Sequence, residues 1–320
     1  MAKVLITGGG GYIGQACARS FLARGWGVVL LDRNPANAFI DPQALLTSGG
    51  RFVKGDVRDR SVVEAAMSGC NAVVHLAAIS SVPQSIADPE TTMSVNVEGT
   101  QTVLDVAEAL KLERVIIASS AAVYGANPEM PLHEGMELES LSPYAESKRL
   151  NEAALLHARE RGLNGVALRF FNIYGGNQLR LPTNTSVIPS FIRTMLAGTA
   201  PHMHGDGSQT RDFIHVDDLS SAVCALAERK APYEAAVANV CSGVEHSLLD
   251  LVDAINHTLI RIGVRSSALV PTHADNRAGD IHRSLGTNAR LRSLIEWSPE
   301  ISLQHGLEAM IREGLEASAS

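Results

Sequence analysis

A run of four glycines between two short segments of opposite character constrains the fold of this 320-residue chain more than any other feature. Residues 4–7 are apolar, as in a buried strand, and residues 13–23 repeat apolar side chains at helical spacing. Glycines permit a tight turn between such elements, and the free N–H groups at the helix start can bind a pyrophosphate. The spacing fits both GxGxxG, starting at Gly9, and GxxGxxG, starting at Gly8, and both end at Gly14. The pattern predicts a dinucleotide-binding turn.

An acidic residue follows the glycines at the distance that such a site requires. Asp32 ends the second predicted strand and lies 18 residues after Gly14. A carboxylate there accepts hydrogen bonds from the adenosine ribose and repels a 2′-phosphate, so the sequence favours NAD over NADP. The neighbouring Arg33 can lie on the adenine or meet a phosphate, and Asp56, after the third strand, can meet the adenine amino group.

Strand and helix patterns alternate through the first half of the chain. The strand patterns are rich in Val, Ile and Leu and occupy residues 4–7, 28–32, 51–55, 72–76, 114–118 and 165–170. The helical patterns occupy residues 13–23, 61–67, 91–110 and 144–161. This alternation predicts an α/β fold with a Rossmann-like, doubly wound parallel sheet and right-handed crossovers.

The pattern changes after Tyr174, and the change predicts a domain boundary. Beyond a polar loop, helical segments dominate at residues 187–196, 217–228, 248–263, 287–295 and 303–315. We expect a dinucleotide-binding domain at residues 1–175 and a smaller, mostly helical substrate domain at residues 176–320. Part of the stretch 212–240 is expected to return to the first domain, because it contains two strand-like segments.

Composition narrows the choice of partners and of compartment. The formal net charge of −7 disfavours nucleic acid and anionic membranes, since both attract basic surfaces. Four widely separated cysteines form no CxxC pair, so we expect neither a disulfide framework nor a metal site. The first residues do not resemble a signal peptide, and no apolar stretch approaches the roughly 18 residues of a membrane span. The expected location is therefore the cytoplasm.

Two residues in the middle of the chain have the spacing of a catalytic pair. Tyr144 and Lys148 form a YxxxK motif, and at helical spacing both side chains share one face. A free tyrosine is a poor base at neutral pH, but a lysine one turn away, together with a positive nicotinamide ring, favours the phenolate. We therefore expect a lowered pKa for Tyr144. The fifth predicted strand leads to Ser119 and Ser120, which place a hydroxyl at the same edge of the sheet.

Further motifs run in a fixed order over nearly the whole chain. They are TGGGGYIG (7–14), GDVRD (55–59), HLAA (75–78), NVEGT (96–100), SSAAVYG (119–125), SPYAESK (142–148), RFFNIYG (169–175), GDGSQTRDFIHVDDL (205–219) and RAGDIHRS (277–284). As a set they resemble the extended short-chain dehydrogenase/reductase superfamily, in particular its NAD-dependent epimerase/dehydratase family. Within that family the chain is most similar to UDP-glucose and UDP-N-acetylglucosamine 4-epimerases.

The resemblance implies a role for each matching residue. Tyr144 would be the base and acid at the sugar 4-hydroxyl, Lys148 would bind the nicotinamide ribose, and Ser120 would hold the reacting oxygen. The implied NAD-binding residues are Gly8, Gly11, Tyr12, Ile13, Gly14, Asp32, Arg33, Asp56, Val57, Leu76, Ala77, Ala78, Asn96, Tyr144, Lys148 and Phe171. The implied substrate-binding residues are Ser81, Ser120, Tyr144, Asn172, Val187, Arg211, Arg277 and Ser284. Arginine suits a nucleotide diphosphate, because its planar guanidinium donates two parallel hydrogen bonds.

The reaction is indicated by two positions after Ser120. Related dehydratases and decarboxylases carry acidic groups there, whereas this chain has Ala121 and Ala122, which cannot transfer a proton. Elimination is therefore disfavoured, and the resemblance implies epimerisation at C4 through a transient 4-keto sugar. Most related epimerases carry a serine or threonine in place of Ala122, so one hydrogen bond to the sugar is missing.

The sugar and the assembly are the least constrained by the sequence. Ser284 stands where galactose-restricted relatives carry a tyrosine, and residues 80–85 resemble enzymes that accept N-acetylated sugars. A UDP-glucuronic acid 4-epimerase remains an alternative function, because Thr183 and Thr185 could bind a carboxylate. A related nucleotide-sugar dehydratase or reductase is a further alternative. A homodimer is expected, because residues 91–110 and 144–161 carry apolar stripes. Those stripes comprise Val103, Val106 and Leu110, and Leu150, Ala154 and Leu155.

Overall fold

The computed structural model describes residues 1–34, 42–181, 186–275 and 281–319. Its strands are β1 Lys3–Thr7, β2 Gly27–Asp32, β3 Arg51–Lys54, β4 Ala72–His75, β5 Arg114–Ser120, β6 Gly165–Phe170, β7 Asn172–Tyr174, β8 His202–His204, β9 Thr210–His215, β10 Val237–Val240, β11 Glu245–Ser247 and β12 Thr272–Ala274. Its helices are α1 Tyr12–Ala23, α2 Pro42–Thr47, α3 Arg60–Met67, α4 Val82–Ala87, α5 Pro89–Met93, α6 Gly99–Ala109, α7 Pro143–Glu160, α8 Val187–Leu196, α9 Val216–Glu228, α10 Leu248–Arg261, α11 Ala289–Leu294 and α12 Leu303–Ala319.

Seven parallel strands form the central sheet, in the order β10-β6-β5-β4-β1-β2-β3. From β1 the strands β2 and β3 follow toward one edge of the sheet, whereas β4, β5 and β6 follow toward the other edge. The strand order therefore reverses between β1 and β4. In open α/β sheets, ligands bind at such a switch point, at the carboxyl ends of the strands. The prediction of a doubly wound parallel sheet is confirmed.

Alternating residues of each strand enter two different apolar cores. Val4 and Ile6 belong to the core beneath α1 and α9, whereas Leu5 belongs to the core beneath α3, α6 and α7. A parallel sheet covered on both faces requires apolar residues at nearly every strand position. This explains the continuous apolar runs in the sequence.

A third apolar core lies among α8, α10 and α12. The three-stranded sheet β11-β9-β7 and the strand pair β12-β8 contribute Tyr174, Phe213 and Met203 to this core. β10 pairs with β6 at the edge of the central sheet, and α9 packs on α1. The division into domains at residue 175 stays a prediction.

The apolar stripes that suggested a dimer are largely used within the chain. Val103, Val106 and Leu155 are fully buried in the core beneath α6 and α7. Leu110 of the predicted stripe is exposed, as is Leu156 of α7. Most of the predicted stripe therefore covers the sheet and is not available to a partner.

Within the described ranges, none of the helices combines the length and the apolar character needed to cross a membrane.

Candidate active site

The glycine turn between β1 and α1 is too tight for side chains. Gly8 has a φ of +67°, and a Cβ there would lie 2.8 Å from the backbone nitrogen of Ala77. A Cβ on Gly14 would overlap the carbonyl oxygen of Gly8. Since α1 begins immediately after Gly11, its first N–H groups open toward the carboxyl edge of the sheet. The turn can therefore present backbone donors to a phosphate.

Asp32 is fixed beside this turn by two backbone bonds. Its Oδ2 accepts from the N–H of Gly10 at 3.0 Å, and its Oδ1 accepts from the N–H of Asn34 at 3.0 Å. A carboxylate oxygen can accept more than one hydrogen bond, so both oxygens keep capacity for ribose hydroxyls.

A cavity of 570 Å³ opens along the turn and Asp32. The predicted residues among its lining are Gly8, Gly11, Tyr12, Ile13, Gly14, Asp32, Arg33, Asp56, Val57, Leu76, Ala77, Ala78 and Ser81. The lining residues that were not predicted are Leu31, Asn34, Gly55, Ser80, Val95, Gln178, Leu181 and Ser186. The volume falls in the usual range for ligand sites.

Gln178 shows that the cavity fits a ligand rich in hydrogen-bond donors. It lies in the single turn Gly176–Arg180 and is buried at the cavity wall. Its Nε2 donates to the carbonyl oxygen of Ile173 at 3.4 Å, while its Oε1 has no hydrogen-bond partner within the described parts of the chain. A buried acceptor without a partner is costly, and ribose hydroxyls or a carboxamide can satisfy it. NAD offers both groups. Gln178 was missed because it falls just beyond the RFFNIYG motif.

Asp56 is held by a residue that the sequence analysis did not single out. The Arg58 guanidinium donates to both carboxylate oxygens, from Nε at 3.0 Å and from Nη2 at 2.7 Å. The hydrogen bonds from Arg58 lower the pKa of Asp56 to about 2. Asp56 therefore lines the cavity as a fixed anion. An adenine amino group would share the acceptor oxygens of Asp56 with Arg58.

Tyr144 lies in the first turn of α7, beside the end of β5. Ser142 caps the helix by accepting from the N–H of Ala145 at 3.1 Å, and Pro143 occupies the first helical position. Burial raises the pKa of Tyr144 above its usual value. A hydrogen bond with the Ser120 hydroxyl acts in the opposite direction but is the smaller effect. The predicted serine and tyrosine are thus brought together.

Lys148 lies one turn further along α7 and is almost fully buried. Its Nζ donates to the carbonyl oxygen of Ala118 at 2.9 Å and lies 5.9 Å from the centre of the Tyr144 ring. Burial lowers the pKa of Lys148 to about 8, although Glu152 acts in the opposite direction.

We expected a lowered pKa for Tyr144, but the residues around it raise that pKa. The lysine ammonium points to Ala118, and burial of the phenol dominates. The expectation also included a positive nicotinamide ring, which the chain does not supply.

A buried ion pair follows on the same helix. Glu152 accepts from Nε and Nη2 of Arg169 at 2.9 and 2.7 Å, and the Ser119 hydroxyl donates to it at 2.5 Å. Arg169 also lies over the ring of Tyr124, 4.7 Å from its centre. The spacing of Tyr144, Lys148 and Glu152, four residues apart in each step, was the sequence signal that could have identified Glu152.

Four predicted cofactor residues do not line the cavity: the catalytic pair Tyr144 and Lys148, together with Asn96 and Phe171. Asn96 is fully buried and bonds both backbone groups of Ile79, accepting from N–H at 2.8 Å and donating to C=O at 3.0 Å. Phe171 packs in an apolar cluster with Val123 and Tyr124. Asn96 therefore holds the segment that follows Ala78, and Phe171 contributes to packing.

The predicted substrate residues gather around Asp212 in β9. Asn172 donates to the carbonyl oxygen of Asp212 at 3.1 Å, and Arg211 is its chain neighbour. The Asp212 carboxylate accepts from the N–H of Gly286 at 3.3 Å, which holds the segment containing the buried Ser284.

Two other residues, Val187 and Arg277, were predicted to bind the substrate. Val187 is the first residue of α8. Arg277 lies outside the described residues, as do Thr183 and Thr185.

Known proteins resemble the chain over nearly its full length. The model of the NAD dependent epimerase/dehydratase family matches residues 4–241. A putative UDP-glucose 4-epimerase of Methanocaldococcus jannaschii is 32% identical over 315 residues, which cover 96% of this chain and 97% of that protein. A UDP-glucose 4-epimerase of Mycolicibacterium smegmatis is 32% identical over 315 residues, covering 95% of this chain and 96% of that protein.

A solved structure gives the same result in three dimensions. The UDP-N-acetylglucosamine 4-epimerase of Methanobrevibacter ruminantium M1, in complex with UDP-N-acetylmuramic acid, superposes with a TM-score of 0.87 at 30% identity and covers 99% of both chains. The prediction of an NAD-dependent enzyme made from the motifs is confirmed by the family match. The chain belongs to the NAD dependent epimerase/dehydratase family.

Proposed function

We propose that the protein is an NAD-dependent 4-epimerase of UDP-linked hexoses or N-acetylhexosamines. The observation that carries this proposal is the Ser120–Tyr144 pair at the carboxyl end of β5, one strand from the switch point, followed by alanines at positions 121 and 122. The names of the relatives support it, because two of them are UDP-glucose 4-epimerases, one so named putatively, and the solved structure is a UDP-N-acetylglucosamine 4-epimerase.

The residues of the chain supply the proton chemistry of this reaction. The glycine turn and Asp32 would hold NAD, and the bound cofactor would supply the hydride acceptor and donor for C4 of the sugar, with a transient 4-keto sugar between the two transfers. Tyr144 takes the proton of the 4-hydroxyl through its phenolic oxygen and gives it back, while Ser120 holds the same oxygen by a hydrogen bond. Lys148 keeps a positive charge near the phenolate, and its burial strengthens that attraction.

Elimination of water needs a further acid and base, and the positions after Ser120 cannot provide them. Ala121 and Ala122 form a short turn that leads away from β5. Epimerisation requires only space for the keto sugar to turn and a retained cofactor. The local chemistry therefore favours epimerisation over dehydration.

The remaining parts of the proposal concern binding and assembly. Residues 1–175, with β10 returning, would hold NAD, and residues 176–320 would hold the nucleotide sugar. Asn172 and Arg211 would contact the UDP part, and Arg277 would join them. The protein would act as a homodimer in the cytoplasm, where the four unpaired cysteines stay reduced. Light scattering that gives only a 34.0 kDa species at micromolar concentration would contradict the dimer.

The function is tested by incubating the purified protein with UDP-galactose, UDP-glucose and their N-acetylated counterparts and reading the products by NMR. Tyr144→Phe should lower turnover by about two to four orders of magnitude, the usual value of a positioned acid–base group, and leave NAD bound. Tyr233→Phe is the matched control, because that hydroxyl donates to the carbonyl oxygen of Leu226 away from the site. Full activity of Tyr144→Phe would overturn the assignment.

A further inference from the structure

His75 has a buried position that the proposed reaction does not use. It ends β4 beside Thr7, its register partner in β1, and only 3% of its surface is exposed. Its Nδ1 lies 2.7 Å from Oγ1 of Thr7, and its Nε2 lies 2.9 Å from Oγ1 of Thr100 in α6. Both ring nitrogens are therefore engaged, one on the side of the glycine turn and one on the side of α6.

The neighbouring bonds determine which nitrogen carries the proton. The Thr100 hydroxyl gives its only proton to the carbonyl oxygen of Asn96 at 2.6 Å, so it must accept from Nε2–H of His75. Nδ1 is then the acceptor of the Thr7 hydroxyl, and Thr7 Oγ1 accepts in turn from the N–H of Ala77 at 3.3 Å. Burial and the nearby Lys148 keep the ring neutral, since both lower its pKa.

The chain of hydrogen bonds continues from Asn96 to the catalytic helix. Asn96 lies in the π-helical turn Ser94–Glu98, a widened turn of the type often found at functional sites. Its Nδ2 donates to Oγ of Ser147 at 2.9 Å, and the Ser147 hydroxyl donates to the carbonyl oxygen of Tyr144 at 2.7 Å. Ser147, like Asn96, is fully buried. This series of hydrogen bonds thus leads from the wall of the NAD cavity to the backbone of Tyr144, with a donor and an acceptor at every step.

We infer that His75 is a positioning residue, which fixes the first turn of α7, and hence the Tyr144 hydroxyl, relative to the glycine turn through Thr100, Asn96 and Ser147. This series of hydrogen bonds connects β1, β4, α6 and α7. Loss of any one hydrogen bond therefore leaves buried donors or acceptors unpaired and lets α7 shift against the sheet. A displacement of about 1 Å is enough to lower the rate of a positioned reaction strongly. The expected effect is on kcat, because the groups that would bind the sugar nucleotide are not part of this series of hydrogen bonds.

This inference rests on the proposed epimerase activity for one of its two measurements. The first measurement is kcat and KM with UDP-galactose. The second is the dissociation constant of NAD, measured by calorimetry, which needs no activity. Thr100→Val removes the hydroxyl at constant size, and Thr100→Ser keeps it. Thr102→Val is the control, because Thr102 makes the same kind of bond, to the carbonyl oxygen of Glu98 at 3.0 Å, on the exposed side of α6.

We expect Thr100→Val to lower kcat about tenfold, to change KM less than twofold, and to weaken NAD binding several-fold. Thr100→Ser should retain most of the activity, and Thr102→Val should match the wild type. Ser147→Ala breaks the chain at its far end, so it should lower kcat and leave NAD binding unchanged; it decides the question if Thr100→Val does not fold. Equal kcat in Thr100→Val and Thr102→Val, or an equal loss in Thr100→Ser and Thr100→Val, would overturn the inference. A wild type inactive on all UDP-sugars would contradict the proposed function instead, and the NAD measurements on Thr100→Val and Thr102→Val would then decide the inference alone.

Discussion

Glu152 and Arg169 form a bidentate ion pair inside the protein, two helical turns beyond Tyr144, with side chains 6% and 4% exposed. Burial opposes the charge on Arg169, but the hydrogen bonds and charge of Glu152 outweigh it and raise the pKa of the guanidinium. The pair connects α7 to β6, so it joins the helix that carries the catalytic residues to the second strand from the edge of the central sheet.

Removing one partner of this pair should destabilise the protein strongly. Glu152→Gln leaves a buried guanidinium without its counter-charge, and we expect a loss of about 3–5 kcal/mol in the free energy of unfolding. Urea unfolding monitored by circular dichroism measures this directly. Glu108→Gln, in the exposed pair with Arg161, is the control and should unfold like the wild type. A Glu152→Gln protein as stable as that control would show that the pair contributes little.

The buried His75 should make stability depend on pH. Its pKa is lowered to about 3, by burial first and by Lys148 second, whereas an unfolded histidine titrates near pH 6.5. Below that pH the unfolded state binds a proton that the folded state does not, so stability is present above it and falls as the pH decreases toward 3. Between pH 7 and pH 5 this loss amounts to about 2 kcal/mol.

Urea unfolding of the wild type and His75→Gln at the two pH values tests this expectation. The variant should lose about 2 kcal/mol less than the wild type between pH 7 and pH 5. His157→Gln replaces an exposed histidine of α7 and should keep the wild-type difference. The same pH dependence in all three proteins would contradict the assignment of a neutral buried His75.

Ser284 is expected to determine whether acetylated sugars are accepted. It is 8% exposed, in a segment anchored on one side by the Arg283–Glu245 ion pair and on the other by the bond from Gly286 to Asp212. A tyrosine at this position would occupy volume that an acetamido group must cross as the keto sugar turns. Ser284→Tyr should therefore lower kcat/KM for UDP-N-acetylglucosamine at least tenfold, or about 1.4 kcal/mol of transition-state binding, and spare UDP-galactose.

Ser284→Ala is the control for Ser284→Tyr, since it removes the hydroxyl without adding volume. Equal losses on acetylated and neutral sugars in Ser284→Tyr would show that volume at this position is not the cause. A wild type inactive on every acetylated sugar would favour the UDP-glucuronic acid alternative.

The parts of the site that the sequence predicted are those built from neighbours in the chain. Gly8, Gly14 and Asp32 belong to one strand–turn–helix–strand unit, whose geometry follows from local rules. Tyr144 and Lys148 share one helix, so their spacing alone places them together. For such residues the sequence states both the chemistry and the location.

The parts that the sequence analysis missed depend on distant partners. Asn96 and Ser147 are 51 residues apart, and Thr7 and His75 are 68 apart, so their contacts exist only after the sheet and α7 have packed. Gln178 likewise reaches the NAD cavity from a turn with no sequence signature. The dimer expected from the apolar stripes stays a prediction, because periodicity shows that a helix face is apolar but not which surface covers it.

The central claim is that C4 of the sugar loses its hydride and regains the same one, with no net oxidation. It is tested most directly with UDP-galactose that carries deuterium at C4, incubated with the protein in ordinary water. We predict UDP-glucose with the deuterium fully retained at C4 and no reduced nicotinamide free in solution. Loss of the deuterium to water, or reduced nicotinamide in an amount equal to the sugar consumed, would contradict the account.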